Sequence, residues 1–178
     1  MGYIKAGLFI SVDGVIEAPE TWHFPYFDDA MGAAVGGLMD NDATLLGRRT
    51  YDGFAEFWPK ADPNDPMTAQ MNGAKKYVVS TTLTEATWEN TTVISGDVAA
   101  ELRELKKGTR LGVTGSASLV RWLVENALID ELHLLVHPIV VGHGQKLFGA
   151  DGPTVKLSLL SSTTFGTGVV HAVYAPAE

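Results

Sequence analysis

Cysteine is absent from this 178-residue chain. It can therefore carry no disulfide framework, no thiolate nucleophile and no cysteine-ligated metal. Positive charge is also scarce: 13 lysines and arginines stand against 21 aspartates and glutamates, a formal net charge of −8. That balance argues against nonspecific binding to nucleic acid or to an anionic membrane surface, and it makes any cluster of arginines conspicuous. Long apolar runs are missing too. In the opening MGYIKAGLFISVDG, Lys5 and Asp13 bracket a stretch too short for a membrane span or for the core of a secretory leader. No G-x-G-x-x-G, Walker A, G-x-S-x-G or H-E-x-x-H motif occurs, and Gly142-His143-Gly144-Gln145 has the wrong continuation for the first of these. No internal repeat, low-complexity tract or linker interrupts the chain. The expectation is one soluble, cytoplasmic domain spanning residues 1–178, with no nucleic-acid or membrane partner.

What is present alternates between strand-like and helix-like patterns. Residues 3–10 form a short apolar run that ends at the turn signal Asp13-Gly14, and predict a strand. Met31, Ala34, Val35, Leu38 and Met39 share one helical face, with Asp28 or Asp29 as N-cap. Strands are expected at 43–46, 77–80, 92–94 and 110–114, and helices from Thr50 to Phe57, from Asp97 to Leu105 and after Gly115-Ser116. The last of these is expected to bury Leu119, Val120, Leu123, Val124 and Ala127. Residues 58–74 read as a surface loop, with a turn of helix near Met67. Ile129–Val141 reads as one long strand with Pro138 inside it, followed by β-like runs at 154–163 and 167–175. The order predicts an α/β domain with a mixed, mostly parallel sheet and antiparallel C-terminal strands.

Two strand–glycine–helix junctions, LLG-RRT (45–50) and GVT-GSAS (112–118), are the best places for chemistry. A helix N-terminus presents unpaired N–H groups and the positive end of the helix dipole, a combination suited to phosphate. Glycine lets the backbone approach a ligand, Thr50, Ser116 and Ser118 add hydroxyl donors, and Arg48 and Arg49 add charge in a bidentate-capable form. Two such junctions in one sheet suit a dinucleotide. A plain glycine turn with a serine cap, and surface arginines paired with Asp52 or Glu56, are the alternative readings of the same residues. His133 and His137 point to one face of a strand, with His143 and His171 in reach. Without a carboxylate or cysteine pattern, these histidines are read as ordinary rather than as a metal site.

Taken in order, FISVDGVIEA, TWHFPYFDDAM, LLGRRTYDGF, YVVSTTL and GVTGSASLVRWLVENALIDELHL with PIVVGHGQKLF resemble the dihydrofolate reductase-like superfamily. The resemblance is strongest to stand-alone relatives of the reductase domain of bifunctional riboflavin-biosynthesis proteins, and runs over nearly the whole chain. It implies a three-layer dihydrofolate reductase-like fold, NADPH as cofactor, hydride transfer to a pterin-like or pyrimidine-like ring, and a homodimer. Carried over residue by residue, Gly47, Arg48, Arg49 and Thr50 would hold cofactor phosphates, and Ser80 and Thr81 would lie near the adenosine ribose and its 2′-phosphate. Gly115, Ser116 and Ala117 would meet the pyrophosphate, and Ile16 the nicotinamide.

The family's substrate-helix acid lies two residues after the proline, where this chain has Phe27. Asp28 and Asp29 follow, and a one-residue slip would bring Asp28 into the pocket as the catalytic acid, with Asp29 second. Trp22, Phe27 and Asp28 are the expected substrate contacts. The riboflavin-pathway enzyme also carries basic residues early in this helix, and FDDAMGAAVGGLMD has none. Three alternatives stay open: a true dihydrofolate reductase, a 5-amino-6-(5-phosphoribosylamino)uracil reductase, and a protein that binds NADPH without catalysis.

Overall fold

The computed structural model describes residues 1–177. Eight strands form one sheet: β1 (Tyr3–Ser11), β2 (Ala43–Gly47), β3 (Lys75–Val79), β4 (Thr91–Ile94), β5 (Arg110–Thr114), β6 (Glu131–His137), β7 (Leu157–Thr164) and β8 (Val170–Pro176). Their spatial order is β4-β3-β2-β5-β1-β6-β8-β7. The first six strands pair in parallel, and β8 runs antiparallel to both β6 and β7. Five helices connect them: α1 (Asp29–Met39), α2 (Arg48–Phe57), α3 (Pro66–Gly73), α4 (Val98–Leu105) and α5 (Ala117–Glu125). This is the three-layer, dihydrofolate reductase-like architecture expected from the sequence.

Side-chain alternation along β1 shows how the layers divide. Ile4, Ala6, Leu8 and Ile10 pack with Leu102 of α4 and with Leu119, Val120, Leu123 and Val124 of α5. Phe9 faces the other way, into a cluster with Met31, Val35 and Leu38 of α1. A third cluster, Leu46, Tyr51, Val78 and Trp88 with Phe54 and Met71, holds α2 and α3 on the same side as α1. That grouping follows from right-handed crossovers: the chain moves one way along the sheet from β1 to β4, then reverses. Gly7 permits the approach of α1 to the sheet, because a Cβ there would lie 2.5 Å from Leu38 Cδ1.

Several boundaries differ from the sequence reading. The 58–74 stretch holds a 3₁₀ turn (Trp58–Lys60) and the full helix α3, capped by Asp65, whose side chain accepts the Met67 N–H, with Pro66 in the first turn. β6 stops at His137. Pro138 lies outside it because a strand hydrogen-bonded on both sides needs every N–H. Ala127, expected in the α5 core, is exposed with φ 51°, past the end of the helix, and Leu128 and Ile129 take the buried places. α1 continues through Gly36 and Gly37 to Met39, and Lys5 Nζ donates to the Gly37 carbonyl at 2.7 Å.

Candidate functional site

β2 and β5 are neighbours, but the chain leaves them in opposite directions. From β2 it passes through α2 to β3 on one side, and from β5 through α5 to β6 on the other. In open α/β sheets a crevice forms outside the carboxyl ends of strands at such a reversal. Here a cavity of about 690 Å³ occupies that place. Its walls come from the C-terminal end of β2 with the first turn of α2, the C-terminal end of β5 with the first turn of α5, the inner face of α1, and residues 16–20 after β1.

The helices divide by how their N-termini are treated. Asp28, Asp65 and Asp97 cap α1, α3 and α4 with side-chain oxygens. Gly47 and Ser116 stand at the caps of α2 and α5 and provide no side-chain cap bond. These two uncapped helices are the ones that open into the cavity, so their first N–H groups and dipole ends are left for a ligand. The junctions are also fastened to each other. Gly47 N donates to Ser116 Oγ at 3.0 Å, Ser116 N donates to Thr50 Oγ1 at 3.0 Å, and Ser116 Oγ donates to the Thr114 carbonyl at 3.1 Å. Gly115 and Ser116 both take left-handed backbone (φ 58° and 54°), which turns the chain sharply from β5 into α5. A Cβ on Gly115 would lie 3.4 Å from Thr50, and its φ favours glycine in any case.

Arg48 and Arg49 differ in their surroundings. Arg48 Nε donates to both carboxylate oxygens of Asp52 at 2.8 and 2.9 Å, and Nη1 to Thr82 Oγ1 at 3.2 Å. Arg49 is exposed and makes no ion pair among the described residues. Of the ten cofactor positions named from the sequence, eight line this cavity: Ile16, Gly47, Arg48, Arg49, Thr50, Gly115, Ser116 and Ala117. Ser80 and Thr81 do not line it. Ser80 is buried and its Oγ accepts the Thr82 and Leu83 N–H groups, forming the turn that follows β3, while Thr81 is exposed.

None of the expected substrate or catalytic positions lines the cavity. Asp28 Oδ1 accepts the Met31 N–H at 2.8 Å, so the acid expected in the pocket serves as the helix cap. Asp29 follows it, exposed, in the first turn of α1. Phe27 is half exposed, and its ring lies against Gly32. Trp22 is buried instead of lining the mouth: its Nε1 donates to the Glu17 carbonyl at 3.1 Å and its ring packs edge-on to His137.

The part of the cavity beyond the helix N-termini is apolar, formed by Phe9, Val35, Leu38, Phe54, Met71 and Leu135. Its acids are Glu17 and Glu20, which sequence reasoning missed because a loop has no periodicity to mark which side faces inward. Val35 and Leu38 were legible as one helical face, but that face reads equally as core.

Behind Phe9 lies a cluster of rings. Phe9 stacks on His23 at 4.5 Å, and His137 meets Phe9, Trp22 and Tyr26 edge-on at 5.1–5.6 Å. His137 is fully buried; its Nδ1 lies 2.8 Å from the Leu135 carbonyl, which can only accept, so Nδ1 carries the proton and Nε2 is bare. Burial pushes both His137 and His23 below the ordinary histidine value, with the neighbouring His137 adding to the shift of His23. On the same β6 face, His133 bonds His171 (Nδ1···Nε2 3.0 Å) and Glu131 (Nε2···Oε2 2.8 Å). Asp13 fastens the opposite loop: Ser11 Oγ and the N–H groups of Val141 and Gly142 donate to its carboxylate, which holds its pKa down at about 2.

Comparison with known proteins places the family and the fold of the chain. The uncharacterised Bacillus subtilis (strain 168) protein YyaP is 32% identical over 178 residues, covering 94% of this chain and 91% of its own. A Shewanella sp. PV-4 crystal structure assigned to riboflavin biosynthesis superposes with a TM-score of 0.75 at 22% identity, covering 99% of both chains. A dihydrofolate reductase from Enterococcus faecalis superposes at 0.63 with 16% identity, covering 99% of this chain and 98% of that one, so the two share the fold. The family model described as the RibD C-terminal domain matches residues 2–171. The chain therefore belongs to the RibD C-terminal domain family.

Proposed function

We propose that this protein is an NADPH-dependent reductase that delivers hydride to a small heterocycle, pterin-like or pyrimidine-like. The observation that carries the reading is the split in capping: three helices spend aspartates on their own N-termini, and the two that open into the cavity do not. An anion with two phosphate groups fits that pair of N-termini. Arg48, Arg49, Thr50 and the first N–H groups of α2 would hold one phosphate region, and Gly115, Ser116 and Ala117 the other. When bound, the reduced nicotinamide supplies the hydride. The protein's share is position and exclusion of water, provided by Ile16 from the loop and by the apolar walls Phe9, Val35, Leu38 and Leu135. Family membership supports reductase chemistry, and the riboflavin-pathway and folate enzymes that share the fold mark the range of rings to test.

The dihydrofolate reductase reading requires an acid from the substrate helix, and Asp28 is occupied as its cap. The test is oxidation of NADPH followed spectroscopically with dihydrofolate, dihydropterins and aminopyrimidines with and without a ribose phosphate. Turnover with one of these rings is the expected result. Tight NADPH binding without turnover on any of them would leave a non-catalytic binding protein, and failure to bind NADPH would end the reductase reading.

A further inference from the structure

The charges that line the cavity are sorted by position. Arg48 and Arg49 stand at the α2 end, and the charged lining residues at the other end are Glu17 and Glu20. Arg121 donates through Nη1 to the carbonyls of Lys146 and Leu147 at 3.2 and 2.9 Å, and through Nη2 to Ser118 Oγ at 3.1 Å. Neither Arg121 nor Lys146 lines the cavity. α1, which forms one wall, contains no lysine, arginine or histidine.

The two acids are not equivalent. Glu17 Oε2 accepts the Gln145 N–H, so this carboxylate braces the loop against residues 144–145. Glu20 accepts no hydrogen bond among the described residues and is exposed. Its backbone is nonetheless held. Thr21 N and Oγ1 both donate to the Ala18 carbonyl, at 2.9 and 2.7 Å, and Trp22 N donates to the Pro19 carbonyl at 3.1 Å. The buried Trp22 indole then anchors the turn through the Glu17 carbonyl. A free carboxylate on a fixed turn, beside an apolar wall, accepts paired N–H groups well and repels an anion.

We propose that Glu20 sets the charge of the substrate: the cavity takes an unphosphorylated heterocycle that presents an amidine-like N–H edge to Glu20, and rejects rings that carry a phosphate. The proposal rests on the reductase reading for the identity of the cavity as the substrate site. A phosphate brought to this end would meet two carboxylates and no uncommitted lining cation. An aminopyrimidine edge would meet a carboxylate able to accept two parallel N–H bonds.

Calorimetric titration of 2,4-diaminopyrimidine and of ribose 5-phosphate, both at saturating NADPH, into wild type, Glu20→Gln, Glu17→Gln and Glu20→Lys tests this. Wild type is expected to bind the diaminopyrimidine, Glu20→Gln to bind it about tenfold or more weakly, and Glu17→Gln to change it far less. Ribose 5-phosphate is expected to gain measurable affinity in Glu20→Lys only. Undiminished diaminopyrimidine binding in Glu20→Gln, no diaminopyrimidine binding to wild type, or ribose 5-phosphate binding to wild type would overturn the proposal. NADPH affinity across the same proteins is the independent readout. It stays constant if the variants fold, and its absence in wild type would reject the reductase reading, while the Glu20 dependence is then read from the diaminopyrimidine alone.

Discussion

Asp28 and His137 illustrate how single residues in this chain divide between structure and chemistry. Asp28 Oδ1 holds the Met31 N–H, a bond whose loss at a helix N-cap costs about 1 kcal/mol. Asp28→Ala is therefore expected to lose about that much stability in urea denaturation, while Asp28→Asn, an equally good cap, stays near wild type. Neither change should alter NADPH affinity; a large loss of affinity in Asp28→Asn would mean that this carboxylate reaches the ligand after all. His137 and His23 are held neutral by burial, with folded pKa values below the ordinary 6.5. The unfolded chain thus takes up protons at these sites at a higher pH than the folded one, so stability is fully present above about 6.5 and declines as pH falls below it. Denaturation midpoints compared on either side of that value should show the decline, and His137→Phe, which keeps a ring beside Trp22 and Tyr26, should flatten it. Arg48, Thr50 and Ser116 were legible in the sequence because glycine, a helix start and cationic or hydroxyl side chains coincide there. The cap was expected at Asp28 or Asp29 and is Asp28, but whether that carboxylate would cap the helix or face a ligand was not legible, since an aspartate at a helix start looks the same in either case.

At the scale of elements, α2 and α5 approach the cavity from opposite faces of the sheet and are joined by a few bonds. Ser116 N to Thr50 Oγ1 and Gly47 N to Ser116 Oγ make each helix start part of the other's support. Thr50→Val leaves the Ser116 N–H without its acceptor, and is expected to cost about 1–2 kcal/mol and to weaken NADPH in the same titration. Loss of stability without any change in NADPH affinity would limit the joint to folding. The sequence located both junctions correctly because a buried strand, a glycine and an amphipathic helix leave a strong pattern. It missed the extent of α3, although Asp65-Pro66 is a cap followed by a first-turn proline, because the three prolines and the Asn and Asp residues around it dominate the composition. It overran β6 because the apolar run continues past His137, whereas the strand ends where Pro138 can no longer donate.

Across the whole molecule, the order β4-β3-β2-β5-β1-β6-β8-β7 places the reversal between β2 and β5, and the cavity follows from that reversal. Alternation of strands and helices announced a mostly parallel sheet, but which strands become neighbours depends on pairings between distant segments. The positions of Glu17 and Glu20 in the cavity wall depend on the same long-range packing. At the far edge, β7 is exposed along nearly its whole length, with Leu159 and Leu160 both more than half exposed. An open apolar edge invites pairing with another strand, and a homodimer is the expected state, checked by sedimentation at micromolar concentration; a monomer there would remove it. The central claim concerns the other end of the sheet, and the most direct test is calorimetric titration of NADPH and NADH into wild type, Arg48→Ala and Arg49→Ala. The two cofactors differ only in the 2′-phosphate, and a charged hydrogen bond to it is worth roughly 1.5–3 kcal/mol. NADPH is expected to bind more tightly than NADH, with the preference reduced most in Arg49→Ala, since Arg48 is already paired with Asp52. If neither cofactor binds the wild-type protein, the two uncapped helices do not form a dinucleotide site and the account is contradicted.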